Sequence, residues 1–152
     1  MIRVQQEDFD IGAEIVGLQA GRTDIGAIVS FIGTVRDQEG AVEEMTLEHY
    51  PGMTESELER IEAEACTRWP LQASLIVHRY GRLKPGDNIV LVVTASEHRE
   101  AAFEAARFLM DYLKTSAPFW KRETGPGGSR WVEAAARDDA SAAGWKPKTA
   151  AE

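Results

Sequence analysis

The stretch ASLIVHRYGRLKPGDNIVLVVTAS, residues 73–96, decides the fold. It contains two apolar, β-branched-rich runs, 73–80 and 88–96, each of strand length. Between them stands Lys84-Pro85-Gly86-Asp87, a turn signal in which proline presets φ and glycine supplies the left-handed conformation. Strands joined by a turn rather than a crossover helix pair antiparallel. The neighbouring segments read the same way. Residues 27–35 are nearly all apolar and predict a buried strand, and 37–40 predict a turn. Met45, Leu47 and His49 then alternate with Glu44, Thr46 and Glu48, the period of a half-buried strand, so 27–35 and 44–49 are expected to pair as a hairpin. Residues 119–123 and 130–134 predict a last hairpin around 124–129.

Three helices fit between these strands. Residues 10–20 carry Ile11, Ile15 and Leu18 and stop at Gly21. A second helix opens at the capping-box pattern Thr54/Glu57, turns Leu58, Ile61 and Ala65 to one face, and ends at Trp69-Pro70. A third, 97–114, sets Ala102, Phe103, Ala106, Leu109, Met110 and Leu113 on its apolar side, with Glu97 and Glu100 in the first turn, where negative charge suits the helix dipole. Hairpins beside helices, without regular strand–helix–strand repetition, predict an α+β fold with mainly antiparallel sheets and three helices.

The 152 residues, 43% hydrophobic and 28% charged, suit one domain over 1–136. From Arg137 the chain is rich in Ala, Asp, Ser and Lys without an apolar period, so 137–152 are expected to form a flexible tail. The net charge of −8 opposes nucleic-acid binding. No apolar run approaches the ~20 residues of a membrane span, and no basic flank precedes an apolar stretch at the N-terminus; a cytoplasmic protein is expected. One cysteine, Cys66, cannot close an intramolecular disulfide, and His49, His78 and His98 lack paired ligand spacing, so neither metal site nor cofactor is expected.

Against this acidic background the run YLKTSAPFWKRE, 112–123, concentrates cations. Pro118 lacks a backbone donor and pushes Ala117 out of helical geometry, so the helix should end near Lys114 and the chain can fold back to bring Lys121 and Arg122 beside it. Taken alone, these residues fit two descriptions: a solvated helix end whose lysine complements the dipole, or a site for an anionic ligand.

Several motifs then occur in order: FIGTVRD (31–37), LEHYPGM (47–53), RWPL (68–71), HRYGRL (78–83), PGD (85–87), EHR (97–99), the 112–123 run and RWVE (130–133). In this series the chain resembles the large, catalytic subunit of molybdopterin synthase. The resemblance covers about residues 26–133. It implies an α/β hammerhead fold and a sulfurtransferase of molybdenum cofactor synthesis. The implied partner is a small ubiquitin-like subunit carrying sulfur as a thiocarboxylate on its C-terminal Gly-Gly. The implied substrate is cyclic pyranopterin monophosphate, on which two transfers create the dithiolene of molybdopterin. The implied assembly is a heterotetramer, a central homodimer with one small subunit at each end. The family's substrate and catalytic positions fall on Thr34, Val35, Arg36, His98, Arg99, Lys114, Lys121, Arg122 and Glu123, with Lys114 and Lys121 as the catalytic pair.

These residue types suit that chemistry. Arg36 follows a buried strand, where a guanidinium can bind phosphate in two-pronged fashion or simply face solvent. His98 and Arg99 lie in a first helical turn, whose free N–H groups favour anions, although an exposed first turn needs no ligand. The helix is about 25 Å long at ~1.5 Å per residue, so His98 and Arg99 share a site with Lys114 only if a neighbouring subunit or a folded-back segment brings the two ends together; a dimer interface is one natural solution, and a pocket shared between subunits is the expectation. Lys114 is assigned the chemical step, as proton shuttle or as stabiliser of a tetrahedral adduct; Lys121 and Arg122 suit phosphate and pterin oxygens. Phe119, Trp120 and Cys66 are expected in the core. A noncatalytic module that holds a phosphorylated metabolite or an acidic peptide tail has the same cations. Phosphoryl transfer is disfavoured, because no P-loop appears.

Overall fold

The computed structural model describes residues 1–132 and 136–145. Its elements run β1 (Ile2–Gln5), α1 (Ile11–Gln19), β2 (Ala27–Thr34), β3 (Glu44–His49), α2 (Met53–Arg68), β4 (Leu71–Arg79), β5 (Gly81–Leu83), β6 (Asn88–Ser96), α3 (Arg99–Thr115), β7 (Phe119–Gly125), β8 (Gly128–Val132) and α4 (Ala136–Ala143). Two four-stranded sheets form, in the orders β1-β4-β6-β2 and β5-β3-β7-β8. Among the described residues only the β1/β4 pair is parallel. The α+β class with mainly antiparallel sheets is therefore observed. No described helix is long and apolar enough to cross a membrane.

The quoted stretch behaves as expected: β4 and β6 pair antiparallel, with Leu75 opposite Val93 and Val77 opposite Leu91. Both faces of this sheet are covered, which is why β6 reads as a continuous apolar run. On one face α2 and α3 bury Leu58, Ile61, Phe108, Leu109 and Leu113 against Ile76, Val90 and Val92. On the other, Ile11, Ile15 and Leu18 of α1 pack on Phe9, Leu75, Val77, Leu91 and Val93. Beneath the second sheet Val35, Val42, Met45, Leu47 and Leu83 form a separate cluster.

The expected hairpin between 27–35 and 44–49 does not form. β2 pairs with β6, and β3 pairs with β5 and β7 in the other sheet. A register shift at Gly33/Thr34 and positive φ at Gln38, Glu39 and Gly40 turn the chain from one sheet to the other. The period-two pattern of β3 correctly marks Met45 and Leu47 as inward, but periodicity does not say which strand lies alongside. Two short strands, β1 and β5, escape the sequence reading because three or four residues are too few to show a period.

The second helix is capped two residues earlier than expected: the Glu55 carboxylate accepts the Gly52 N–H at 2.7 Å, while Glu57 pairs with Arg60. Thr54 is buried instead, accepting from the Tyr50 N–H and donating to the Pro118 carbonyl, both at 3.0 Å. Cys66 is exposed, since a step of ~100° per residue carries it off the face that buries Ala65. Phe103 is 62% exposed for the same reason, as the buried stripe of α3 runs through Ala102, Ala105, Ala106 and Leu109. The helix count rises to four because α4 lies in the segment expected to be a flexible tail. There Trp145 packs edge-on against Trp69 and Phe108 and donates to Asp111 at 2.6 Å. Residues 133–134 of the expected last strand, and 146–152 of the tail, lie outside the described residues.

Candidate active site

The fold-back predicted around Pro118 is what builds the site. α3 closes with the Ser116 and Ala117 N–H groups donating to Tyr112 O, at 2.8 and 3.3 Å, and the Phe119 N–H bonds Ala117 O at 2.8 Å. The Thr54 hydroxyl holds the Pro118 carbonyl. β7 therefore runs back past the end of α3, and Lys114 and Lys121 line one cavity of about 440 Å³. Its walls come from both sheets: Phe31, Gly33 and Thr34 of β2, Met45 and Leu47 of β3, His78 of β4, Val90 of β6 and Phe119 of β7. Asp138 of α4 reaches the same cavity.

Strand alternation decides which of the β7 residues enter. Lys121 and Glu123 stand on the inward face beside Phe119. Trp120 and Arg122 stand on the other, where Trp120 is exposed rather than in the core and the Arg122 guanidinium lies over the Trp131 ring, 5.7 Å from its centroid. Adjacent strand residues cannot share a face, so Lys121 and Arg122 part company. Glu123 is 5% exposed. Its carboxylate lies 3.9 Å from the Lys121 ammonium and 3.4 Å from the Arg130 guanidinium, and accepts from Gln38 at 3.3 Å. Burial holds the Lys121 amine below the usual lysine range; Glu123 opposes the shift and Lys114 adds to it.

The other expected positions are dispersed. Thr34 borders the cavity. Val35 is buried in the cluster under the second sheet, with its N–H and carbonyl bonded to Asp87 and Gly86, so it fixes the backbone and offers a ligand no side chain. Arg36 begins the 36–39 loop and lines a separate shallow hollow with Asp37, Gln38 and Glu39. His98 caps the opposite end of α3, its side chain 80% exposed and 3.6 Å from Glu97, and Arg99 is exposed beside it. Within one chain neither reaches the cavity.

Among the lining residues that sequence reasoning leaves unassigned, His78 is a buried imidazole within a recognised motif. His78 is 8% exposed and its ring stacks on Phe119, with centroids 3.7 Å apart and planes 18° from parallel. Its Nδ1 lies 2.8 Å from the Arg79 carbonyl and so carries the ring proton. Burial is the main cause lowering its pKa to about 4, assisted by Lys114 and His49 and opposed by the bond to Arg79. The available signal was a histidine directly following the apolar run Leu75, Ile76, Val77.

Fold and cavity together define a two-sheet α+β protein whose central cavity, apolar in its walls and cationic on one side, can hold a small anionic ligand between two lysines. The family model described as MoaE protein matches residues 4–116. The molybdopterin synthase catalytic subunit of Mesorhizobium japonicum is 58% identical over 147 residues, spanning 95% of this chain and 92% of the relative. Among solved structures, the molybdopterin biosynthesis MoaE protein from Burkholderia ambifaria is 56% identical with a TM-score of 0.83, covering 95% of this chain and 97% of that one. The molybdopterin synthase from Staphylococcus aureus is 32% identical with a TM-score of 0.77, covering 86% and 95%. The chain belongs to the MoaE family, the enzymes that serve as catalytic subunits of molybdopterin synthase.

Proposed function

We propose that this chain, in the cytoplasm, transfers sulfur to cyclic pyranopterin monophosphate from the C-terminal thiocarboxylate of a small ubiquitin-like partner. The observation that carries this reading is the shared cavity of Lys114 and Lys121, seven residues apart in sequence and united by the turn at Pro118. An anionic thiocarboxylate and an anionic phosphate both need cationic partners in a confined site, and a glycyl tail is slender enough to enter one. The thiocarboxylate sulfur bonds to an oxygen-bearing carbon of the pyranopterin as the C–O bond at that carbon breaks and its oxygen departs; water then adds to the partner's terminal carbonyl carbon, and collapse of the tetrahedral adduct breaks the acyl C–S bond, leaving a thiolate on the pterin and a glycine carboxylate on the partner. Lys121, whose amine burial holds below the usual lysine range, moves the proton. The Lys114 ammonium stabilises the oxyanion of the adduct.

Arg36, His98 and Arg99 serve the substrate from a second copy of the chain, completing a site that one copy leaves open. Phe31 and Phe103, exposed on the mutually packed β2 and α3, provide apolar area for that contact. The assembly is then a homodimer of this chain flanked by two small subunits. Incubation with the thiocarboxylated partner and cyclic pyranopterin monophosphate should yield the dithiolene product. Tight binding of both without product would instead make the chain a holding module.

A further inference from the structure

His78 is an anomaly in a strand built to be apolar. Ile76, two residues earlier on the same face, lies in the core beneath α2 and α3; at the next inward position the chain buries an imidazole, which costs free energy unless its polar atoms are used. One is used: Nδ1 donates to the Arg79 carbonyl. That bond fixes the tautomer, so Nε2 is an unprotonated nitrogen that can only accept. Phe119 stacked on the ring holds its plane, and the ring lines the cavity with the two lysines.

We propose that His78 is a specificity-determining acceptor, its Nε2 receiving a ring N–H of the pyranopterin heterocycle at the closed end of the cavity. This deepens the sulfur-transfer assignment and rests on it. Two features favour the heterocycle over the partner's tail. A neutral lone pair offers nothing to a phosphate or thiocarboxylate, which the lysines attract, so it serves an uncharged donor. Exposure also falls from Lys114, which faces solvent, through Lys121 at 35% to His78 at 8%. A tail entering from solvent ends with its thiocarboxylate at the lysines, and its amide N–H groups lie behind that point, towards the mouth. What lies deeper belongs to the other reactant. The buried ring also remains uncharged throughout the neutral range, so the acceptor is permanent.

The test is calorimetry on the complete chain with its small partner, comparing His78→Phe, which keeps the stack and removes the acceptor, with His78→Gln, which restores one. His78→Phe should weaken pyranopterin binding about tenfold, the value of one hydrogen bond of ~1.4 kcal/mol. It should leave the partner's affinity unchanged and raise KM more than it lowers kcat; His78→Gln should recover most of the loss. Unchanged pyranopterin affinity in His78→Phe, or a loss that falls on the partner instead, overturns the assignment. Should that variant fail to fold, nitrogen NMR of the histidine rings in the unsubstituted protein decides: pyranopterin must shift the His78 Nε2 resonance upfield, and a static resonance overturns the role. Absence of any pyranopterin binding by the unsubstituted protein overturns the site assignment as well.

Discussion

Acidification should destabilise this protein through a single buried ring. His78 has a pKa of about 4 in the folded chain against 6.5 for the free side chain, mainly because burial penalises the charged form. Between those values the unfolded chain carries a proton on this ring and the folded chain does not. Unfolding therefore takes up a proton, and the stability provided by the neutral ring is complete above 6.5 and is lost as the pH falls towards about 4. At about 1.4 kcal/mol per pH unit, the gap amounts to about 3 kcal/mol, a large fraction of the stability of a small domain. Carboxylates titrate in the same range, so the measurement is a difference. Urea denaturation followed by tryptophan fluorescence should be run on the parent and on His78→Phe at steps from about pH 4 to about pH 8. The variant should gain about 3 kcal/mol on the parent as the pH drops, nearly all of it below 6.5. Stability curves that stay parallel, or a His78 ring that titrates near 6.5 in NMR, would refute the burial argument.

Lys114→Ala should lower the sulfur-transfer rate by about 10² to 10⁴ in a chain that remains folded by circular dichroism, and near-normal turnover would remove Lys114 from the chemistry. Cys66→Ala should shift stability by no more than about 0.5 kcal/mol, as for an exposed position, and keep single-turnover activity with a preloaded partner; complete loss in a folded variant would sink the thiocarboxylate mechanism. Gly125→Ala would set a Cβ 2.1 Å from the Ala41 carbonyl oxygen, where the Glu43 N–H bonds Thr124 O at 2.8 Å. Separating the two backbones should cost about 1–3 kcal/mol, and an unchanged urea midpoint would show that this approach is not needed.

What could be read from the chain alone was what local chemistry controls. Pro118 ends α3 because it cannot donate, Pro85-Gly86 turns β4 back towards β6 by way of β5, and the apolar stripes of α2 and α3 mark their buried faces to within a residue or two. What could not be read is which distant surfaces meet. β3 alternates as it would in any antiparallel pair, so nothing in its sequence distinguishes β2 from β7 as its neighbour. The 137–152 segment lacks a period, yet one side chain, Trp145, finds an aromatic slot between Trp69 and Phe108 and docks α4 beside α3. Short motifs likewise located the lysines but not the role of His78, whose meaning depends on Phe119, far along the chain.

The alternation of β7 bears on mechanism as well as on fold. Three consecutive charged residues, Lys121, Arg122 and Glu123, look in sequence like one cationic cluster with an acidic neighbour, but the strand sends the guanidinium outward and keeps an ammonium and a carboxylate inward. Had Arg122 also entered, the cavity would hold a cation that never deprotonates, suited to gripping anions and useless for moving protons. With Arg122 on Trp131 instead, the perturbed cation of β7 is Lys121, whose amine burial makes easier to neutralise. Glu123 limits how far that goes, and Arg130 and Gln38 hold Glu123 in turn. The 36–39 loop is thus tied through Gln38 to the amine assigned to proton transfer. Arg36 leads into that loop, so a substrate phosphate gripped by Arg36 of the second copy would settle the segment that steadies Glu123 in that copy, coupling substrate binding at one site to the basicity of Lys121 at the other.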